Sequence, residues 1–276
     1  MPTPRRNRRD RTNERLLRPV HPNAGITAEY RRKLDDLIGE MNRSVLYWLA
    51  AKYRANEPRL IALGEDETPA DALQRAMSEL TKRWLKRFDE AAPKLADWFA
   101  KSTAKRSQAA LRKIMKDAGF TVEWKMTPAA RDVMDATINA QVSLIKSIPQ
   151  HYLAQVEGMV MRSVQTGRDL GQLTDDIERE FGVTRRRAAF IALDQNNKAT
   201  ASMTRARQLE VGVTEAIWVH SGGGKEQRRT HLKAGRDRQR YEVAEGWYDP
   251  DVKKFILPGE LPNCRCVARA VVPGFS

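Results

Sequence analysis

The residues that could do chemistry gather near the end of the chain. Both cysteines, Cys264 and Cys266, stand one residue apart in the run Leu261-Pro262-Asn263-Cys264-Arg265-Cys266. His231 lies upstream beside Arg228 and Arg229, and His220 precedes the Gly222-Gly223-Gly224-Lys225 turn. Two thiolates with imidazole are the donor types of a tetrahedral zinc, so Cys264, Cys266 and His231 are candidate ligands for Zn, with His220 able to complete four. The same residues also suit two buried, reduced thiols beside a structural histidine. A third reading makes His220 and His231 an acid–base pair, with Arg228, Arg229 and Lys233 holding phosphate, as metal-independent RNases do. The glycine turn is not a phosphate loop, because the spacing is wrong and Lys225 is followed by Glu226. There is no Gly-x-Ser-x-Gly, no His-Glu-x-x-His and no compact acidic cluster suited to two metals.

Bulk properties narrow the class. A chain of 276 residues with 41% hydrophobic content can bury one large core or two smaller ones. Its 49 Lys+Arg against 35 Asp+Glu leave a net charge of +14, which favours polyanions through counterion release at phosphates. Two cysteines do not make a disulfide framework, and a bridge between Cys264 and Cys266 would close a strained ring. A reducing site of synthesis, the cytoplasm, is expected. No run of about eighteen apolar residues occurs, so no membrane span is expected. The Arg-rich start has no apolar stretch behind it and does not read as a secretory signal.

The elements that must position this chemistry follow in order. Residues 1–18 carry Arg5, Arg6, Arg8, Arg9 and Arg11 among few apolar residues. They read as a flexible basic arm that either contacts DNA phosphates or docks on a partner, or else is a plainly solvated terminus. From Thr27 an apolar stripe through Tyr30, Leu34, Ile38, Met41, Val45 and Leu49 predicts a helix. Thr68-Pro69 and Thr127-Pro128 are helix starts, with the threonine as cap and proline in the first turn. Pro93 is expected to restart a stripe that Gly119 ends, with a polar gap over Lys101–Gln108. Pro149 and Gly182 are expected to interrupt later stripes, and Thr184 to cap a last helix ending near Val211-Gly212. Trp48, Trp84, Trp98 and Met134 are expected core or interhelical contacts. After Gly212 the pattern changes: Ala216–His220 and Arg265–Val272 predict strands in a small, loop-rich unit.

The C-terminal segment resembles the phage Mu F-like, or SPP1 gp7-like, family of minor head (head morphogenesis) proteins. The resemblance rests on Arg205 and Arg207 on a helix, Gly212, Trp218, Arg228-x-x-His231, Gly235 and the close Pro262-Asn263-Cys264-Arg265-Cys266. Leu193-Asp194-Gln195 stands where many members carry Arg-Thr-Glu, and Leu261 where His is frequent. The resemblance implies a protein of the virion, in the capsid interior near the portal. Its implied partners are the portal protein and a major capsid or scaffold protein, with double-stranded DNA bound non-specifically.

The expected architecture is mainly α with a small α+β C-terminal domain. A basic arm over 1–26 would precede a helical, portal- or capsid-docking body over 27–182 and a Mu F-like domain over 183–276. In it, Arg228, His231, Gly235, Pro262, Asn263, Cys264 and Cys266 form the structural constellation. A structural, non-enzymatic role is the first expectation. The alternative is a genome-delivered nuclease or toxin-like effector using His231, His220 and Arg228.

Overall fold

The computed structural model describes residues 14–55, 68–167, 169–223 and 226–273. The arginines Arg5, Arg6, Arg8, Arg9 and Arg11 of the expected DNA-contacting arm lie outside the described residues. Four long helices, α1 (Ala24–Ala55), α2 (Pro69–Asp117), α3 (Pro128–Gln165) and α4 (Leu170–Glu210), follow a short strand β1 (Glu14–Leu16). Beyond α4 come β2 (Glu215–Val219), α5 (Arg229–Arg236), β3 (Arg240–Glu242), β4 (Trp247–Asp249), β5 (Lys254–Ile256) and β6 (Val267–Pro273). The fold is therefore mainly helical with a small C-terminal sheet, as the patterning predicts. No helix among the described residues is long and apolar enough to cross a membrane.

Two compact units form, and each gathers separate stretches of chain. One comprises Met1–Ile26, Ala100–Thr137 and Leu193–Ser276; the other comprises Thr27–Phe99 and Ile138–Ala192. Sequence patterning predicts a consecutive division at 26/27 and 182/183. Compactness keeps the boundary at 26/27 and adds others at 99/100, 137/138 and 192/193, so that the segments interleave and the boundaries fall inside α1, α2, α3 and α4.

The helical unit is a helix-on-helix core. Tyr30, Leu34, Ile38, Met41 and Leu49 of α1 are buried, as are Leu73, Met77, Phe88 and Phe99 of α2 and Ile145, Tyr152 and Val156 of α3. Tyr30 stacks on Phe99 with ring centroids 4.5 Å apart and donates its hydroxyl to Gln141 at 3.0 Å. The Tyr152 hydroxyl donates to Asn42 Oδ1 at 2.5 Å, and Asn42 in turn donates to Glu178 at 3.2 Å. Burial pushes both phenols above their ordinary range, so they remain neutral donors.

Several expected helix breaks do not occur. Pro93 and Pro149 sit inside α2 and α3, and Lys101–Gln108 is helical throughout. An interior proline costs about 3 kcal/mol, but Ala92, Leu95, Ala96 and Phe99 are buried around Pro93. That burial holds the helix across it. Gly182 and Thr184 likewise lie within α4, between the buried Ile177 and Ala188. Arg185–Arg187 therefore lie in the interior of α4. Arg185 pairs with Asp35 at 3.2 Å, and Arg187 donates to Ser147 Oγ at 3.0 Å. Trp84 is buried and Trp98 and Met134 are half-buried, whereas Trp48 is 42% exposed with Arg83 5.6 Å over its ring.

In the other unit, strand order is β1-β6-β2-β3, all antiparallel, with β4 and β5 as a separate hairpin. Trp218 faces Ala268 across the β2–β6 ladder. Residues 14–18 were expected in the flexible arm, but Glu14–Leu16 pairs with Val271–Pro273. Two nearby apolar side chains explain the difference: Leu17 and Val20 are buried in this unit's core with Trp218, Tyr241, Val272 and Leu111. Arg269 Nε donates to the Leu17 carbonyl at 3.0 Å, and Arg240 bridges Glu14 and Glu215.

Candidate functional site

Three pieces of the sheet-containing unit deliver the chemistry-bearing side chains. Helix α5 turns His231 and Ala234 inward while Leu232, Lys233 and Arg236 stay exposed, the one-sided pattern of a surface helix. Gly235 lets that helix close on β2, since a Cβ there would lie 2.4 Å from His220 Cβ. The turn Leu261–Cys264 leads into β6 and carries the two thiols. Backbone alternation buries Cys264 and Cys266 and leaves Arg265 exposed between them.

The three side chains meet. His231 is 2% exposed, Cys264 3% and Cys266 5%. His231 Nδ1 lies 3.5 Å from Cys264 Sγ and 3.8 Å from Cys266 Sγ. All three donor atoms fall within 4.8 Å of one another, and both cysteines are free thiols. The other ring nitrogen, Nε2, is 3.3 Å from Asp249 Oδ2, off the direction of a well-aligned hydrogen bond, so the contact is chiefly electrostatic. Asp249 is wholly buried. Its Oδ2 accepts from Thr230 Oγ1 at 3.2 Å and its Oδ1 from the Asp251 N–H at 2.9 Å. Trp218 packs edge-on against the imidazole, with centroids 4.9 Å apart.

The two sulfurs differ electrostatically. A hydrogen bond from the Cys266 thiol holds Cys264 well below the usual thiol range; His231 and the Cys266 and Gly259 N–H groups add to this against burial. As the donor, Cys266 is pushed up by that same bond, by burial and by the neighbouring charge. The Trp218 indole N–H and Ser221 N–H act in the opposite sense on Cys266, favouring its anion.

A second layer locks the turn. The Leu261 carbonyl accepts the Cys264 N–H at 3.0 Å, and Asn263 takes a left-handed φ of 59°. That is the conformation wanted two residues into a turn whose second residue is proline. The Asn263 N–H donates to Asp194 Oδ1 at 2.6 Å, and Asp194 Oδ2 pairs with Lys198 at 2.8 Å. Arg228 donates to the Pro262 carbonyl at 2.9 Å. Arg205 on α4 caps the carbonyls of Val243 and Ala244 at 2.7 and 2.6 Å.

Of the residues singled out from sequence, Cys264, Cys266 and His231 come together. Arg228, Pro262, Asn263 and Gly235 surround them in supporting positions. His220 is engaged separately: its Nδ1 accepts the Gly222 N–H at 3.1 Å. Sequence reasoning missed Asp249, Asp194, Thr230 and the place of Trp218 against the histidine. Asp249 precedes Pro250 and reads as a turn former. Asp194 had one signal: it occupies the position where the resembled family frequently carries threonine.

One comparison with known proteins covers this same stretch. The family model described as Phage Mu protein F like protein matches residues 154–269, which include every member of the cluster. An uncharacterized protein of Haemophilus influenzae is 34% identical over 141 residues, covering 51% of this chain and 30% of the relative. The match thus spans less than a third of that relative's length. No solved structure matches.

Proposed function

From the Mu F-like segment over residues 154–269, we propose that this protein is a head morphogenesis protein of a tailed phage, a minor component of the particle. The family match carries the reading. The net charge of +14 supports it independently, because a protein placed against packaged DNA gains from cationic side chains. In this role the protein sits inside the capsid near the portal. It docks on the portal protein and on a major capsid or scaffold protein, and touches double-stranded DNA without reading its sequence. The clasp built from Asp194, Arg228 and the Cys–His cluster makes the C-terminal part a rigid adaptor rather than a reacting centre.

The test is genetic and compositional. Deleting the gene from the phage or prophage that carries it is expected to lower the yield of DNA-filled heads in electron micrographs. The chain is expected in purified particles by mass spectrometry. Normal heads together with absence from particles would overturn the proposal. An effector reading with His231 as acid or base predicts catalytic cleavage of RNA or DNA that His231→Ala abolishes. A buried imidazole facing two sulfurs does not favour that chemistry, and intact nucleic acid is the expected result.

A further inference from the structure

We propose that Cys264, Cys266 and His231 bind one zinc ion, and that Asp249 is the carboxylate that orients the His231 ring for it. The site is independent of the particle role.

The distances fit. At a tetrahedral zinc with Zn–S of about 2.3 Å and Zn–N of about 2.05 Å, a nitrogen and a sulfur ligand sit roughly 3.6 Å apart. His231 Nδ1 lies 3.5 and 3.8 Å from the two sulfurs. The three donors converge on one point from two separate pieces of chain, α5 and the 261–266 segment. Two thiolates with an imidazole select zinc over magnesium or calcium, which take oxygen donors.

The surroundings fit as well. A metal-bound histidine commonly presents its other nitrogen to a carboxylate, which fixes tautomer and ring orientation. Asp249 Oδ2 stands 3.3 Å from Nε2 and is itself held by Thr230 and the Asp251 N–H. Because it faces the far side of the ring, Asp249 cannot be a ligand to the same ion. Both sulfurs have N–H neighbours suited to thiolates. The Gly259 N–H donates to Cys264 at 3.4 Å, while Trp218 Nε1, near Cys266, is buried without an aligned acceptor. A zinc-bound thiolate would supply that acceptor. Among the described residues no fourth His, Cys, Asp or Glu joins the group, so these residues supply three of the ligands. With so little of the cluster exposed, the ion would be a staple joining α5 to the start of β6.

The experiment uses the full chain without an affinity tag, purified from zinc-replete cells. Elemental analysis is expected to give one zinc per chain. Replacement by cobalt should give an intense thiolate-to-cobalt band in the near ultraviolet with the visible bands of a four-coordinate ion. Cys266→Ser and His231→Ala should lose the ion. Asp249→Asn should keep one site but bind about 10–100-fold more weakly in competition with a chromophoric chelator. Zinc absent from the wild type, or cobalt bound without the sulfur band, would overturn the site. If Cys266→Ser fails to fold, those two wild-type measurements still decide. Unchanged affinity in Asp249→Asn would overturn the orienting role alone. Head defects on gene deletion bear on the particle role and leave these outcomes untouched.

Discussion

At Asn263 the backbone occupies the left-handed region, and its N–H meets a buried carboxylate from a helix some seventy residues earlier in the chain. Asparagine tolerates that conformation and a β-branched residue does not. Asn263→Gly should therefore leave stability almost unchanged in urea unfolding, whereas Asn263→Val should cost about 1–3 kcal/mol. Equal stability of the two variants would show that the turn relaxes freely. Residue types made part of this site legible: two cysteines one apart and a histidine beside arginines mark a place for chemistry whatever the fold. Asp249 and Asp194 were not legible. Apart from Asp194's place in the family pattern, neither has a signature in its neighbouring residues, because an Asp-Pro pair serves any loop and an aspartate in a helix usually faces water. Their roles come from tertiary placement, which buries both carboxylates against N–H and cationic partners.

The elements were legible where the chain has to begin or end a helix by local hydrogen bonding. Thr68 and Asp71 form a reciprocal cap: the Asp71 N–H donates to Thr68 Oγ1 at 3.1 Å, and the Thr68 N–H to Asp71 Oδ2 at 3.2 Å. Thr127 caps α3 through the Ala130 N–H at 3.2 Å. Gly212, with φ of 77°, ends α4 as the Val213 N–H reaches back to the Gln208 carbonyl. The interior breaks expected at Pro93, Pro149 and Gly182 are absent for the opposite reason: packing on both sides outweighs a local penalty. The α2 cap also makes a pH prediction. Hydrogen bonds from Thr68, side chain first and then backbone, hold the Asp71 carboxyl below its ordinary value of 3.8. A depressed folded-state value means that the cap is fully effective above about pH 4. It is lost as pH falls through the lower, folded value. The protection factors of the Asp71 and Ala72 amides, that is their exchange relative to the intrinsic rate at each pH, should fall on acidification into that range, and Asp71→Asn should blunt the change.

At the scale of the whole molecule, the charge excess is the property most open to direct test. If Arg5, Arg6, Arg8, Arg9 and Arg11 contact phosphates, deleting residues 1–13 should weaken duplex binding. It should also flatten the slope of log K against log salt by about 0.9 for each phosphate that the arm no longer neutralises. An unchanged slope would assign DNA contact to the remaining cationic surface. The division into units was the least legible property, because local patterning says nothing about which distant stretches share a core. The Mu F-like match itself begins within α3 and runs to β6. It leaves out β1 and the 100–137 stretch, which complete the sheet-containing unit.

The pairing of Glu14–Leu16 with Val271–Pro273 has a consequence in time. On a ribosome adding about 5–20 residues per second, β1 emerges roughly 10–50 seconds before its partner strand. Through that interval Leu17 and Val20 have no sheet to cover them, and the helices can assemble first. The sheet-containing unit is thus completed only near the end of synthesis. Contacts between residues so far apart in sequence close slowly, so a polypeptide released before β6 would carry a finished helical unit and an unfinished clasp.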